Sequence, residues 1–154
     1  MVLGKDLFIG FGTVAGILLA AENLRRAAVS ARTSVALRLV ERWNDPKTAG
    51  LWTRWHELHH ELTGKSESDV VSMVSKDDQS TVADVLNFLE EIATSVNTKA
   101  ADDRQIWLAL GPTIMEYFDT LLPWISDYRR NKNRPHAWVE LERLVNGWKR
   151  RRHR

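Results

Sequence analysis

The first forty residues set the pattern. Residues 7–21, LFIGFGTVAGILLAA, contain no charge and one polar side chain, Thr13. Lys5 and Asp6 precede them, and Glu22, Arg25 and Arg26 follow. A helix that is apolar all round belongs to a core or a bilayer. With Val2, Leu3 and Gly4 extending it, the run approaches the length of a short membrane span, which usually takes about 20 residues and at least about 17. The pattern predicts a membrane anchor over residues 1–22. A signal peptide and a buried core helix are the competing readings; against the first, Asp6 offsets Lys5 and a leucine falls three residues before a cut at Ala20 or Ala21, and against the second, the run has no polar face. Arg25, Arg26, Arg32 and Arg38 lie downstream against one lysine upstream. That bias predicts a single pass through a bacterial inner membrane, N-terminus out and C-terminal domain cytoplasmic. Gly12, Gly16 and Ala20 fall four apart. As a membrane-helix packing stripe they would bring two copies together as a homodimer.

Beyond the anchor, apolar positions recur at helical spacing. Leu24, Ala28, Ala31, Val35 and Leu39 make one stripe, so anchor and next helix read as one rod ending near Trp43, before Asn44-Asp45-Pro46. A second helix is predicted over 47–62. Residues 65–80 read as a loop with one helical turn, the most mobile piece. A third helix starts at Ser80 or Thr81, with Thr81 and Asp84 as a capping box. It carries Val82, Val85, Leu86, Leu89, Ile92, Ala93 and Val96 on one face and ends at Asn97. A fourth begins at Asp102-Asp103, is interrupted at Gly111-Pro112 and kinks at Pro123. Pro135 sits near the start of the last helix, which carries Trp138, Leu141, Leu144, Val145 and Trp148 inward. No stretch alternates with period two, so no sheet is expected. The fold class is all-α: a transmembrane helix continuing into a cytoplasmic bundle of about five helices over residues 23–148, with a basic tail at 149–154.

Composition adds three points. Lysine plus arginine number 22 against 20 acids, so the net charge of +2 comes from local clusters. Cysteine is absent, which excludes disulfides and thiolate chemistry. Of the seven tryptophans, Trp52, Trp55, Trp107, Trp138 and Trp148 fall on apolar faces and read as core.

The sharpest chemical motif is His56-Glu57-Leu58-His59-His60, which fits H-E-x-x-H. In zinc peptidases two histidines one turn apart hold the metal and the glutamate activates water. Candidate ligands here are His56, His60 and, one helix on, Glu90. On a helical wheel His56 lies about 100° and His60 about 140° from the centre of the apolar face, so the motif points to water. His59 lies at the edge of that face, packed on the tryptophans. The zinc metallopeptidase is therefore an alternative, not the main reading. Glu90, on the boundary of its helix stripe, is expected to pair with an arginine from a neighbouring helix, while Glu91 points away. Lys149, Arg150, Arg151, Arg152 and Arg154 form a compact positive end. It suits lipid headgroups or nucleic-acid phosphates, but no recognition helix or RNA-binding motif accompanies it, and nucleic acid is not expected as the partner. No catalytic residue and no cofactor is assigned.

The chain also resembles a known family. The sequence RWNDP at 42–46, NFLEEIA at 87–93 and the tryptophan-rich end around Pro135, Trp138 and Trp148 are similar to bacterial and phage proteins grouped as domain-of-unknown-function family four-seven-six-zero. The likeness covers nearly the whole chain. It implies a membrane-associated helical protein and brings no activity or functional residue. The expected role is protein interaction or scaffolding at the membrane, with membrane lipid and an unidentified protein as partners.

Overall fold

A computed structural model describes the backbone of residues 3–152 and the side chains of residues 19–151. Among the described residues there are six α-helices, one short 3-10 turn and no strand. α1 runs unbroken over Leu3–Trp43, about 60 Å at about 1.5 Å per residue. A 3-10 turn at Pro46–Thr48 leads into α2, Ala49–Leu62. Asp45 caps that turn by accepting from the Lys47 amide at 2.8 Å. α3 is Glu67–Met73, α4 Asp78–Asn97, α5 Asp103–Asn131 and α6 Val139–Arg152.

The core gathers the inward faces of α2, α4, α5 and α6. α4 and α6 pack along each other, α3 lies on α5, and the C-terminal part of α1 docks on α5 through buried Ala36 and Leu39. The Asp102 amide donates to the Arg32 carbonyl at 3.1 Å where α5 begins beside α1. Before that point α1 leaves the bundle. Residues 23–32 are exposed throughout, with Leu24 at 72% and Val29 at 51%, and Leu19 further out is 67% exposed. We call this projecting part the arm.

The expected membrane-spanning helix is corrected here. Among the described residues no helix is long and apolar enough to cross a membrane. The physical reason is the charge spacing. Residues 7–21 supply about 22 Å of uncharged helix against a hydrocarbon core of about 30 Å. From Glu22 on, α1 is charged, and Glu22 pairs with both Arg25 and Arg26 at 2.8 Å. The single-pass placement with the N-terminus out rested on that span and is overturned with it. Gly12 and Gly16 lie outside the described side chains, and Ala20 is exposed on the arm.

Four local expectations also differ. The stretch 65–80 is ordered into α3 and the start of α4, with Val70 and Val74 buried. The capping box sits at Ser75 and Asp78, not Thr81 and Asp84: the Asp78 amide donates to Ser75 Oγ at 3.1 Å, and that hydroxyl donates to Asp78 Oδ2 at 2.7 Å. Gly111-Pro112 does not interrupt α5. Proline removes the bond to the carbonyl four residues back; here those carbonyls belong to Leu108 and Asp119, both exposed and open to water. Gly111 is a seat for Trp107, since a Cβ there would stand 2.3 Å from the Trp107 ring. Pro135 lies in the turn before α6, not in its first turn.

Candidate functional site

On α2, His56, Glu57 and His60 are exposed and His59 is buried, at 8% exposure, as the wheel predicts. The His59 ring lies 4.8 Å from Tyr117 and 5.3 Å from Trp55. Its Nε2 is 3.2 Å from Thr120 Oγ1 and 3.8 Å from the Glu116 carboxylate. His56 Nε2 and the Tyr117 hydroxyl are 2.9 Å apart. Glu57 accepts from Arg54 at 3.3 Å, and Arg54 reaches on to Asp78 at 2.6 Å. The predicted metal candidates are not brought together: His60 faces water, His56 bonds Tyr117, and Glu90 is engaged on α6. Among the described residues no group of three or more histidine and acidic side chains is placed to hold a metal ion.

Burial pushes the His59 imidazole below its ordinary value and the Tyr117 phenol above its own. The sign for His59 follows from proton counting. Its neutral form is favoured in the fold, so the unfolded chain binds more protons once pH falls below the ordinary imidazole value of 6.5. Stability from this site is complete above that value and is lost as pH falls through the lowered one. We expect the melting temperature to drop between pH 7 and pH 5, and His59→Gln to flatten that drop when both are followed by circular dichroism. An unchanged slope in the variant would remove His59 as its source.

A second constellation is built on α4. Asn87, Glu90 and Glu91 tie two distant segments to it, the end of α1 and residues 138–141. Arg42, from the end of α1, makes two bonds to the Glu91 carboxylate at 2.7 and 2.6 Å, and its guanidinium lies 4.6 Å from the Phe88 ring centre. Both Glu90 oxygens accept from the open N-terminus of α6, Glu140 N at 3.1 Å and Leu141 N at 2.7 Å. Asn87 Oδ1 accepts the Trp138 indole N–H at 3.0 Å. Trp138 has a left-handed backbone, φ 56°, uncommon for a bulky residue. Arg129 steadies the turn before it by donating to the Ala137 carbonyl and to Glu142. The arginine expected on Glu90 is thus found on Glu91. Glu90 instead meets bare helix amides and the positive end of a helix dipole, which satisfy a carboxylate as well as a cation does.

The tryptophans close the core as expected. Trp55 is fully buried and Trp52, Trp138 and Trp148 are buried, while Trp107 is half-buried, 5.2 Å from Trp148. Trp43, at the end of α1, stacks on Trp52 with centroids 4.2 Å apart. The basic end is partly spent inside the domain. Lys149 pairs with Asp119, and Arg151 shares Asp103 with the Trp148 indole N–H. Arg150 is exposed; the Arg152 side chain and Arg154 lie outside the described residues. A groove of about 810 Å³ runs between α3 and α5, with Lys65, Ser68, Thr120, Pro123 and Arg130 on its walls. Its walls also include Glu67 and Asp119, so no one sign of charge dominates.

These features define an all-α helical bundle with a projecting helical arm, knit together by polar side chains of α4. The chain belongs to the family described as domain of unknown function (DUF4760), whose pattern matches residues 11–148. The three stretches that carry the resemblance are those that meet on α4: Arg42 on Glu91, Trp138 on Asn87, and the first turn of α6 on Glu90. No curated protein and no solved structure matches the chain.

Proposed function

We propose that this protein is an interaction module in which the bundle is a mount and the arm of α1 is the docking element. The observation that carries the reading is the arm's exposure, with Leu19 and Leu24 each more than 60% open to water. An isolated helix is marginal in water, and most helical stability in proteins comes from packing an apolar face. A rod that leaves its own core with leucine and valine uncovered is a surface waiting for a partner. The mount is firm, because α1 re-enters the bundle at Ala36, Leu39 and Trp43 and is tied there by the Arg42–Glu91 pair.

The test is photo-crosslinking in living cells. A photoreactive amino acid at Leu24 or Val29 is expected to yield covalent adducts with protein, while the same group at exposed Lys132 on the bundle yields few. Equal adduct levels at all three positions, or none on the arm, would sink the reading.

A further inference from the structure

We propose that the junction of α5 and α6 binds a nucleoside monophosphate, its base in a tryptophan slot and its phosphate on an adjoining basic shelf. Two clefts meet there and share Asp103 and Arg151. The slot, about 260 Å³, is otherwise lined by Arg104, Trp107 and Trp148. The shelf, about 340 Å³, gathers Lys99 from the turn between α4 and α5 with Arg143 and Gly147 of α6. The site lies on the bundle and does not depend on the role of the arm.

The slot is held in shape before any ligand arrives. A Cβ at Gly111 would stand 2.3 Å from Trp107 Cε3 and 2.8 and 2.9 Å from Cδ2 and Cζ3, so the ring rests on the backbone of α5. Trp148 meets that ring edge-on at 5.2 Å and is fixed by its bond to Asp103. Stacking a base on a pre-positioned indole costs little ordering of the protein. Arg104 is exposed and has no acid partner among the described residues, so its donors are open to the acceptor edge of a base.

The shelf is cationic. Lys99 has no acid partner among the described residues. The acids that touch the other cations are already engaged: Asp103 accepts from Trp148 and Arg151, and Glu140 from Asn97 and Arg143. The surplus of positive charge suits a dianion, and a guanidinium fork matches phosphate oxygens. Gly147 points the same way. Glycine inside a helix is less favourable than alanine, yet a Cβ at Gly147 would meet nothing within 4 Å, so packing does not require it. Its effect is to leave the shelf floor bare, as where a ligand approaches a backbone closely.

The probe is guanosine 5′-monophosphate, titrated into the full chain at low salt and followed by calorimetry and by the indole N–H signals in nitrogen-15 spectra. The Trp107 and Trp148 signals should move and those of Trp52 and Trp55 stay. Gly147→Leu, which fills the shelf, should weaken binding at least about tenfold while the melting temperature holds or rises. Arg104→Ala should weaken it at least about fivefold, and Arg38→Ala, exposed elsewhere, less than about twofold. Lys99→Ala should weaken the nucleotide and leave guanosine, which has no phosphate, unchanged. Wild-type affinity in Gly147→Leu would overturn the placement. No signal shift at millimolar nucleotide, or tighter binding of phosphotyrosine, would overturn the ligand class. A short single-stranded oligonucleotide binding more than about tenfold tighter than the monophosphate would assign the same chemistry to a strand and overturn the free nucleotide.

Discussion

Trp148→Ala is expected to lower the unfolding free energy by about 3–5 kcal/mol, the usual cost of emptying a buried aromatic site. Trp148 is 2% exposed, lies edge-on to Trp107 and donates its indole N–H to Asp103 at 2.7 Å. Its loss opens a cavity between α5 and α6 and leaves the Asp103 carboxylate with Arg151 alone to tie the two helices. For a chain of this size the melting temperature should fall by roughly 10 °C. Trp148→Phe keeps most of the volume and loses only the hydrogen bond, so it should cost about 1–2 kcal/mol. Urea unfolding with unchanged slope is the measurement. A loss under about 1 kcal/mol for the alanine variant would mean that the end of α6 is peripheral to the core.

Glu90→Ala comes second in size. It removes the acceptor for two amides at the start of α6, and a hydrogen bond to a charged group is worth about 1.5–3 kcal/mol. With the relief offered by water at a half-buried site, we expect a net loss of about 2–3 kcal/mol. Glu90→Gln keeps one acceptor oxygen and loses the favourable charge against the helix dipole, so it should fall between wild type and alanine. Hydrogen exchange at the amides of Glu140 and Leu141 reads the same event locally. If both variants unfold like wild type, the carboxylate is not what holds α6 to α4.

Much of the bundle was legible from periodicity. α1's end at Trp43, the body of α2, the apolar face of α4 and the Asp102 cap of α5 all follow from spacing and local chemistry. The orientation of His56, His59 and His60 followed from the wheel alone. What failed needed tertiary knowledge. Val70 and Val74 looked like a stray apolar patch, and only their burial makes α3 a helix rather than a loop. Pro112 looked like a break because sequence cannot show that Leu108 faces water. The arginine expected on Glu90 sits on Glu91 because a helix wheel gives direction but not the identity of what waits there. The N-terminal run was misjudged on its composition, when its charge-free length decides the matter.

The α4 clasp also has a consequence for how the chain is made. α4, whose Leu86, Leu89 and Ile92 are fully buried, packs along α6, which follows it in the chain. Glu90 and Asn87 acquire their partners only when residues 138–141 arrive, about fifty positions later. During translation the five helices that precede α6 therefore exist with an uncovered hydrophobic flank, and a chain that stops short of α6 never closes it. Termination before α6 should be punished by aggregation and degradation.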